Sequence, residues 1–369
     1  VYHSRERSAI IRRQSATVQP GWPATYLYGK LHRMYRPQRT LLALIGAPGH
    51  VCYRYRLEAF APWLAEAGWK LEPVVLARGV LPGLAELGGV AVADAIVLQR
   101  YLLPWWRLEL LRRASRLLLF DFDDAVFYRD SNRRLGPESS RRSRRFAATL
   151  RMADAVLAGN RFLVEQAARE TAPSKLHLFP TCIDLTAYPA VTHTRGVDEA
   201  RLVWIGSRST APSLFEARPG LQLAAERLGR LTLRLICDWF PDLGPAITLE
   251  RCSWTAASEI EDLAGADIGI SWLPDHPWSL GKCGLKVLQY MAAGLPVVAN
   301  PVGVHCELIE HGRTGFLAQT PGEWADAIAR LAASPELRAE MGQAGRQSVA
   351  QRYATAQWGP KLADLLNQL

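Results

Sequence analysis

Lysine is scarce in this 369-residue chain. Of its 44 basic residues only Lys30, Lys70, Lys175, Lys282, Lys286 and Lys361 are lysine, so the other 38 are arginine. Arginine forks match phosphate and carboxylate groups, and the formal net charge is +9, so an anionic partner is one reading of the bias; GC-rich coding is the other. Paired cysteines are also lacking. Cys52, Cys182, Cys237, Cys252, Cys283 and Cys306 are scattered without a CxxC, which excludes a zinc ribbon and a disulfide framework and suits a reducing, cytoplasmic setting. No apolar run approaches the ~20 residues that span a bilayer. Residues 1–39 are polar and Arg-rich without the apolar core of a signal peptide, and are expected to be a loose extension. With 49% hydrophobic and 21% charged residues, what remains is a globular chain long enough for two domains.

Both halves alternate short apolar runs with helical patterns, the signature of α/β units with parallel sheets. In the first half the strand-like runs are LLALIGAPG (41–49), LEPVVLA (71–77), DAIVLQR (94–100), RLLLFDFDD (116–124) and DAVLAGN (154–160). An amphipathic helix is expected over 56–69. Regularity breaks down across 181–200 and resumes at RLVWIGS (201–207), followed by strands at 231–238, 246–252, 266–273 and 296–300. Helices are expected around 258–265, 284–293, 323–333 and 335–350. The expected boundaries are an extension over 1–39, domains over 40–185 and 186–350, and a final helix over 351–369 that can pack back on the first domain.

Five stretches carry chemistry. GKCGLKVLQYMAAGLPVVAN (281–300) places a helix start after a Gly-Lys loop, with Leu285, Leu288, Met291 and Ala292 on one side and Lys282, Lys286 and Gln289 on another. Free backbone N–H groups, the positive dipole end and a lysine favour a phosphate; a solvated polar face is the alternative. WIGSRSTAPSL (204–214) ends a strand at Gly206, where ligands sit in open α/β sheets; Ser207, Arg208, Ser209 and Thr210 there are anion contacts or helix caps. GAPGHVCYRYR (46–56) offers Gly46 and Gly49 for close backbone approach and His50, Arg54 and Arg56 for charge. FDFDDAVF (120–127) crowds Asp121, Asp123 and Asp124 at a strand end, which demands cations, caps or ligand hydroxyls; no His lies near enough for a metal site. Finally, 131–146 holds Arg133, Arg134, Arg141, Arg142, Arg144 and Arg145. They form either a solvated face or a patch for an anionic membrane. Nucleic acid is disfavoured because no aromatics interleave.

The pattern resembles GT-B glycosyltransferases of the large family 4 type over roughly 41–350, most closely at GLKVLQYMAAGLPVVANPVGVHCELIEHGRTGFLA (284–318). Gly303, Glu307, Gly312, Gly315 and Phe316 match the family's later motif, and LFPTCIDLTAYP (178–189) looks like its interdomain segment. DFDDAVF and WIGSxST are similar to a subgroup acting on bacterial surface polysaccharides. Family members usually carry two glutamates eight positions apart, where this chain has Gly281 and Gln289.

The resemblance implies two Rossmann-like domains facing a central cleft, and a retaining transfer of sugar from a UDP- or GDP-sugar to a glycan or lipid-linked acceptor, without metal or other cofactor. Catalytic roles then fall to Asp123, Asp124 and Lys282. Donor contacts fall to Gly206, Ser207, Arg208, Lys282, Gly284, Gln289 (ribose) and Glu307, and acceptor or loop roles to Gly46, Gly49, His50 and Arg54. The enzyme is expected in the cytoplasm, at most peripheral on the inner membrane face. A non-catalytic nucleotide- or partner-binding protein of the same fold and a nucleotide-sugar epimerase are the rival readings.

Overall fold

The computed structural model describes residues 38–76, 93–129 and 136–369. Arg133, Arg134, Ala77 and most of the 1–39 extension lie outside the described residues.

Two six-stranded sheets organise the chain. The first contains β1 (Arg39–Ile45), β2 (Trp69–Val75), β3 (Ala95–Gln99), β4 (Leu118–Phe122), β5 (Ala155–Ala158) and β6 (Leu176–Leu178), in the order β2-β1-β3-β4-β5-β6. Strands β3, β4 and β5 are buried along their whole length, which is why they read as unbroken apolar runs rather than alternating ones. One face is covered by α3 (Trp105–Ala114), α4 (Ser140–Met152) and α5 (Arg161–Ala167) through Leu108, Leu111, Phe146, Leu150 and Leu163. The other is covered by α1 (Val51–Arg56), α2 (Ala61–Glu66) and the C-terminal helix α13 (Thr355–Gln368). The single helix expected over 56–69 is in fact broken. Leu57 has non-helical backbone angles, a 3-10 turn spans Glu58–Phe60, and Pro62 opens α2.

The second sheet runs β12-β11-β10-β7-β8-β9, with all neighbours parallel. Its strands are β7 (Arg201–Ile205), β8 (Leu231–Cys237), β9 (Ile247–Ser253), β10 (Ile268–Ser271), β11 (Val297–Ala299) and β12 (Gly315–Leu317). Between them lie α6 (Ser213–Leu228), α7 (Glu259–Ala264), α8 (Pro277–Leu280), α9 (Leu285–Ala292) and α10 (His305–Leu308). Helices α11 (Pro321–Ala333) and α12 (Pro335–Arg352) follow β12. Strand order reverses between β1 and β3 in the first sheet and between β7 and β10 in the second, and ligands of open α/β sheets bind outside the carboxyl ends of strands at such points.

Helix α13 returns to the first sheet. Leu362 and Leu366 join Leu41, Phe60, Leu64 and Trp69 in one core, Trp358 meets Phe179 edge-on at 5.6 Å, and Trp69 Nε1 donates to Asn367 Oδ1 at 3.1 Å. Leu366→Ala should therefore cost about 2–5 kcal/mol of stability. Urea unfolding would show a lower midpoint, and an unchanged midpoint would mean that the helix adds nothing to the core.

Candidate active site

Three carboxylates end β4, and three cations, Arg56, Arg100 and Lys282, answer them. Asp121 is fully buried and takes Arg56 Nε at 2.9 and 3.1 Å and Gln99 Nε2 at 3.0 Å. Arg56, itself fully buried, also donates to Phe179 O at 2.9 Å. Asp121 is thus committed to an internal ion pair and does not face a ligand.

Asp123 lies 3.4 Å from Arg100 Nε, and Asp124 bonds the Nη2 of the same guanidinium. Burial opposes ionisation of Asp123, but Arg100 and Arg56 outweigh it and hold the carboxyl below its usual range. Arg100 stands at the C-terminal end of β3, beside the strand-order reversal, with φ +61, a left-handed conformation that a non-glycine residue seldom adopts. No motif singled it out, since it reads as the polar residue after a strand. His50 caps α1, accepting from Cys52 N–H at 3.2 Å; burial first and then the Arg100 charge keep its imidazole below the ordinary range. His50, Arg100, Asp123 and Asp124 therefore converge at one end of the first sheet.

The second domain meets this cluster through its 281–284 loop. Lys282 Nζ pairs with Asp124 Oδ1 at 2.8 Å and lies 5.2 Å from the centre of the Trp278 ring. Burial alone would lower the Lys282 pKa, but the Asp124 carboxylate overrides it and the net shift is upward. Asn160, at the start of α5, donates to Leu280 O and Lys282 O, both at 2.9 Å, so it pins the loop across the interface. Gly281 faces the backbone of Ala125: a Cβ there would lie 2.5 Å from Ala125 N. Position 281 thus has no room for a side chain in this arrangement.

Gly284 precedes α9 with φ +69 and makes no side-chain cap, so the first N–H groups of the helix stay open. Lys286, two residues on, sits 4.3 Å over the centre of the Trp204 ring, and no carboxylate pairs with it among the described residues. Burial first and the charge of Lys282 second push its pKa down to about 7. An ammonium held by an aromatic face in place of a carboxylate is ready for an incoming anion.

Several expected contacts take other partners. Gln289 is buried, and its amide nitrogen donates to the Tyr55 and Tyr188 hydroxyls at 3.0 and 3.1 Å instead of lying free for a ribose. Tyr55 in turn donates to Glu259 at 2.8 Å, and Arg54 and Trp254 donate to the same carboxylate at 2.7 and 3.0 Å. Arg54 accordingly makes a domain-to-domain contact. Glu307 is exposed in α10. Gly206 lies against the Trp204 ring, and Arg208 is held through its backbone N–H by Asp238 at 2.7 Å, beside the Ser207–Ser209 hydroxyl pair. Gly46 faces the Tyr101 hydroxyl and Gly49 is open. His305 is buried neutral, with Asn300 O on Nδ1 and the Ser271 hydroxyl on Nε2, both at 2.9 Å; burial lowers its pKa to about 4.

Residues 270–348, which span the 281–284 loop and α9, match the family described as glycosyl transferases group 1. Alpha-maltose-1-phosphate synthase of Mycolicibacterium smegmatis is 29% identical over 242 residues, covering 55% of this chain and 60% of that protein. D-inositol 3-phosphate glycosyltransferase of Pseudarthrobacter chlorophenolicus is 32% identical over 148 residues, covering 36% of this chain and 32% of that protein. The matches thus span a third to three fifths of those relatives' length. Among solved structures, sucrose-phosphate synthase from Thermosynechococcus elongatus has a TM-score of 0.66 at 16% identity, covering 89% of this chain and 98% of that one. HepE of Anabaena, solved with UDP-glucose, gives 0.62 at 15% identity, covering 89% of this chain and all of that one. Sheet order and solved structures agree that this chain has the GT-B fold, and its residues 270–348 match the glycosyl transferases group 1 family.

Proposed function

We propose that this protein transfers a sugar, with retention of configuration, from a UDP- or GDP-sugar to a glycan or lipid-linked acceptor in bacterial surface-polysaccharide or glycoconjugate synthesis, on the cytoplasmic side of the membrane. The observation that carries the reading is the cation arrangement at the start of α9: open helix N–H groups, Lys286 without a carboxylate, and Lys282 on a carboxylate that a diphosphate can replace. The family relatives supply the reaction class, and neighbours solved with UDP and UDP-glucose favour a nucleotide-sugar donor.

The chemistry is charge handling. The bond between the anomeric carbon and the diphosphate breaks, and negative charge grows on the leaving oxygen. Preorganised N–H groups and the two ammonium groups stabilise that charge. The acceptor hydroxyl forms the new glycosidic bond and gives its proton to the departing phosphate, so no covalent nucleophile is required. Asp124, released from Lys282 by the donor, is placed to orient the acceptor or a sugar hydroxyl, with Arg100 holding it and Asp123 beside it.

Incubation with radiolabelled UDP-glucose, UDP-N-acetylglucosamine and GDP-mannose tests the reading: transfer, or slow donor hydrolysis, is expected with one of them. Tight nucleotide binding with neither would favour a non-catalytic nucleotide-binding role, and a changed sugar on an intact donor would favour epimerisation. Lys282→Ala and Lys286→Met should each lower kcat/KM by about 10²–10³-fold with little change in melting temperature; a variant with unchanged turnover removes that lysine from the site.

Lys286 also makes binding pH-dependent. Its pKa of about 7 in the free protein leaves it largely neutral at pH 8, whereas a bound diphosphate favours the charged form and raises that pKa. Calorimetry of UDP-glucose binding in two buffers of different ionisation enthalpy should detect proton uptake at pH 8 and little at pH 6, with affinity falling as pH rises through 7. Lys286→Met should abolish the uptake, and uptake that persists in this variant would assign it to another group.

A further inference from the structure

Helix α3 is apolar on two sides. Leu108 and Leu111 enter the core, while Trp105 (65% exposed), Trp106 (46%) and Leu110 (47%) face outward. These three are the only neighbouring group in sequence among the large exposed hydrophobics of the described residues. Two adjacent exposed tryptophans on one helix are costly in water and mark a surface that is covered in use.

The charge beside them indicates what covers it. Helices α3 and α4 together carry eight arginines against one glutamate: Arg107, Arg112 and Arg113 with Glu109 in α3, and five arginines with no acid in α4. Arg112, Arg113 and Arg151 are neutralised by Asp154, Glu109 and Glu170. At the tryptophan end the arrangement differs. Arg107 stacks on the Trp106 ring at 5.0 Å, and Arg145 reaches across to Leu102 O at 3.2 Å, which brings the start of α4 beside the start of α3. Arg141 and Arg107 lie near enough to Arg145 to depress its pKa further after burial. Arg141 and Arg144 make no ion pair among the described residues, and both are exposed. Arg142 instead ties α4 to Val126 O and Tyr128 O at 3.1 and 3.0 Å, a structural role that the linear run of arginines did not reveal.

From this juxtaposition we infer that the starts of α3 and α4 form a docking surface for an anionic lipid bilayer, in which Trp105, Trp106 and Leu110 enter the headgroup boundary and Arg141 and Arg144 meet the lipid phosphates. Tryptophan suits that boundary because its ring is apolar while its N–H stays wet, and arginine supplies attraction that neutral lipid does not answer. A nucleic acid would use the charge but leave the tryptophans idle unless bases stacked on them. The surface is independent of the donor-site reading, because neither helix supplies a residue to that cluster.

Co-sedimentation of the full chain with vesicles separates the outcomes. Vesicles with about a third phosphatidylglycerol should bind the protein and pure phosphatidylcholine should not, with binding weakened by salt. The Trp105→Ser/Trp106→Ser double variant should lose at least about tenfold in partitioning. Arg141→Gln/Arg144→Gln should lose about 30-fold, from ~1 kcal/mol per arginine at the membrane surface. All four positions are exposed, and unchanged circular-dichroism melts would show that the variants fold. Failure to bind anionic vesicles overturns the inference, as does binding that ignores the tryptophans. Binding to duplex DNA that is tighter than to vesicles and is lost in either variant would overturn it in favour of nucleic acid.

Discussion

The end of β4 sets the terms for the rest of the cleft. Asp121, Asp123 and Asp124 stand within four residues at the mouth of a buried strand, where unanswered carboxylates would be protonated or would unfold the region. Three cations answer them from three places in the chain: Arg56 from α1, Arg100 from the end of β3, and Lys282 from the second domain. The first is internal to one domain and the last joins the two, so the charge that stabilises the strand end also orders the interface. A pair buried as completely as Arg56 and Asp121 contributes specificity more than net stability, because both groups have left water. Removing either partner alone would leave the other uncompensated.

Polar contacts join the domains at two places. On one side Asn160 holds the 281–284 loop and Gly281 lets two backbones meet. On the other Gln289, Tyr55, Tyr188 and Glu259 form a network in which each hydroxyl can both donate and accept. Polar contacts of this kind can exchange partners without exposing a large apolar surface. The two lysines of the α9 region then differ in an instructive way. Lys282 is charged because a carboxylate holds it, whereas Lys286 is poised near neutrality because burial and the neighbouring Lys282 charge disfavour its ammonium.

Much of the architecture was legible along the chain, for a physical reason. Strands buried on both faces must be continuously apolar, and helices on a sheet must repeat their apolar residues every three to four positions. β3, β4, β5 and β10 therefore announced themselves, as did α9 with its Gly-Leu-Pro stop. The glycine at 284 was readable as part of a helix start, and the carboxylates after β4 as groups needing cations. The break at Leu57 was not readable, because residues 56–69 have helical propensity on either side of a turn that tertiary packing imposes.

Partners of charged and polar groups were a different matter. Sequence alone determined the parallel α/β layout, the positions of the loops that end strands, and which loops are rich in charge, since these depend on local periodicity and composition. Only the tertiary structure decided that Arg100 rather than a nearer arginine holds Asp123 and Asp124, and that Gln289 faces two tyrosines. It likewise decided that position 281 has no room for a carboxylate, and that exposed tryptophans lie beside the arginines of α4. Each of these is a contact between residues tens to hundreds of positions apart, and the energy of a charge depends on what surrounds it in space rather than on its neighbours along the chain.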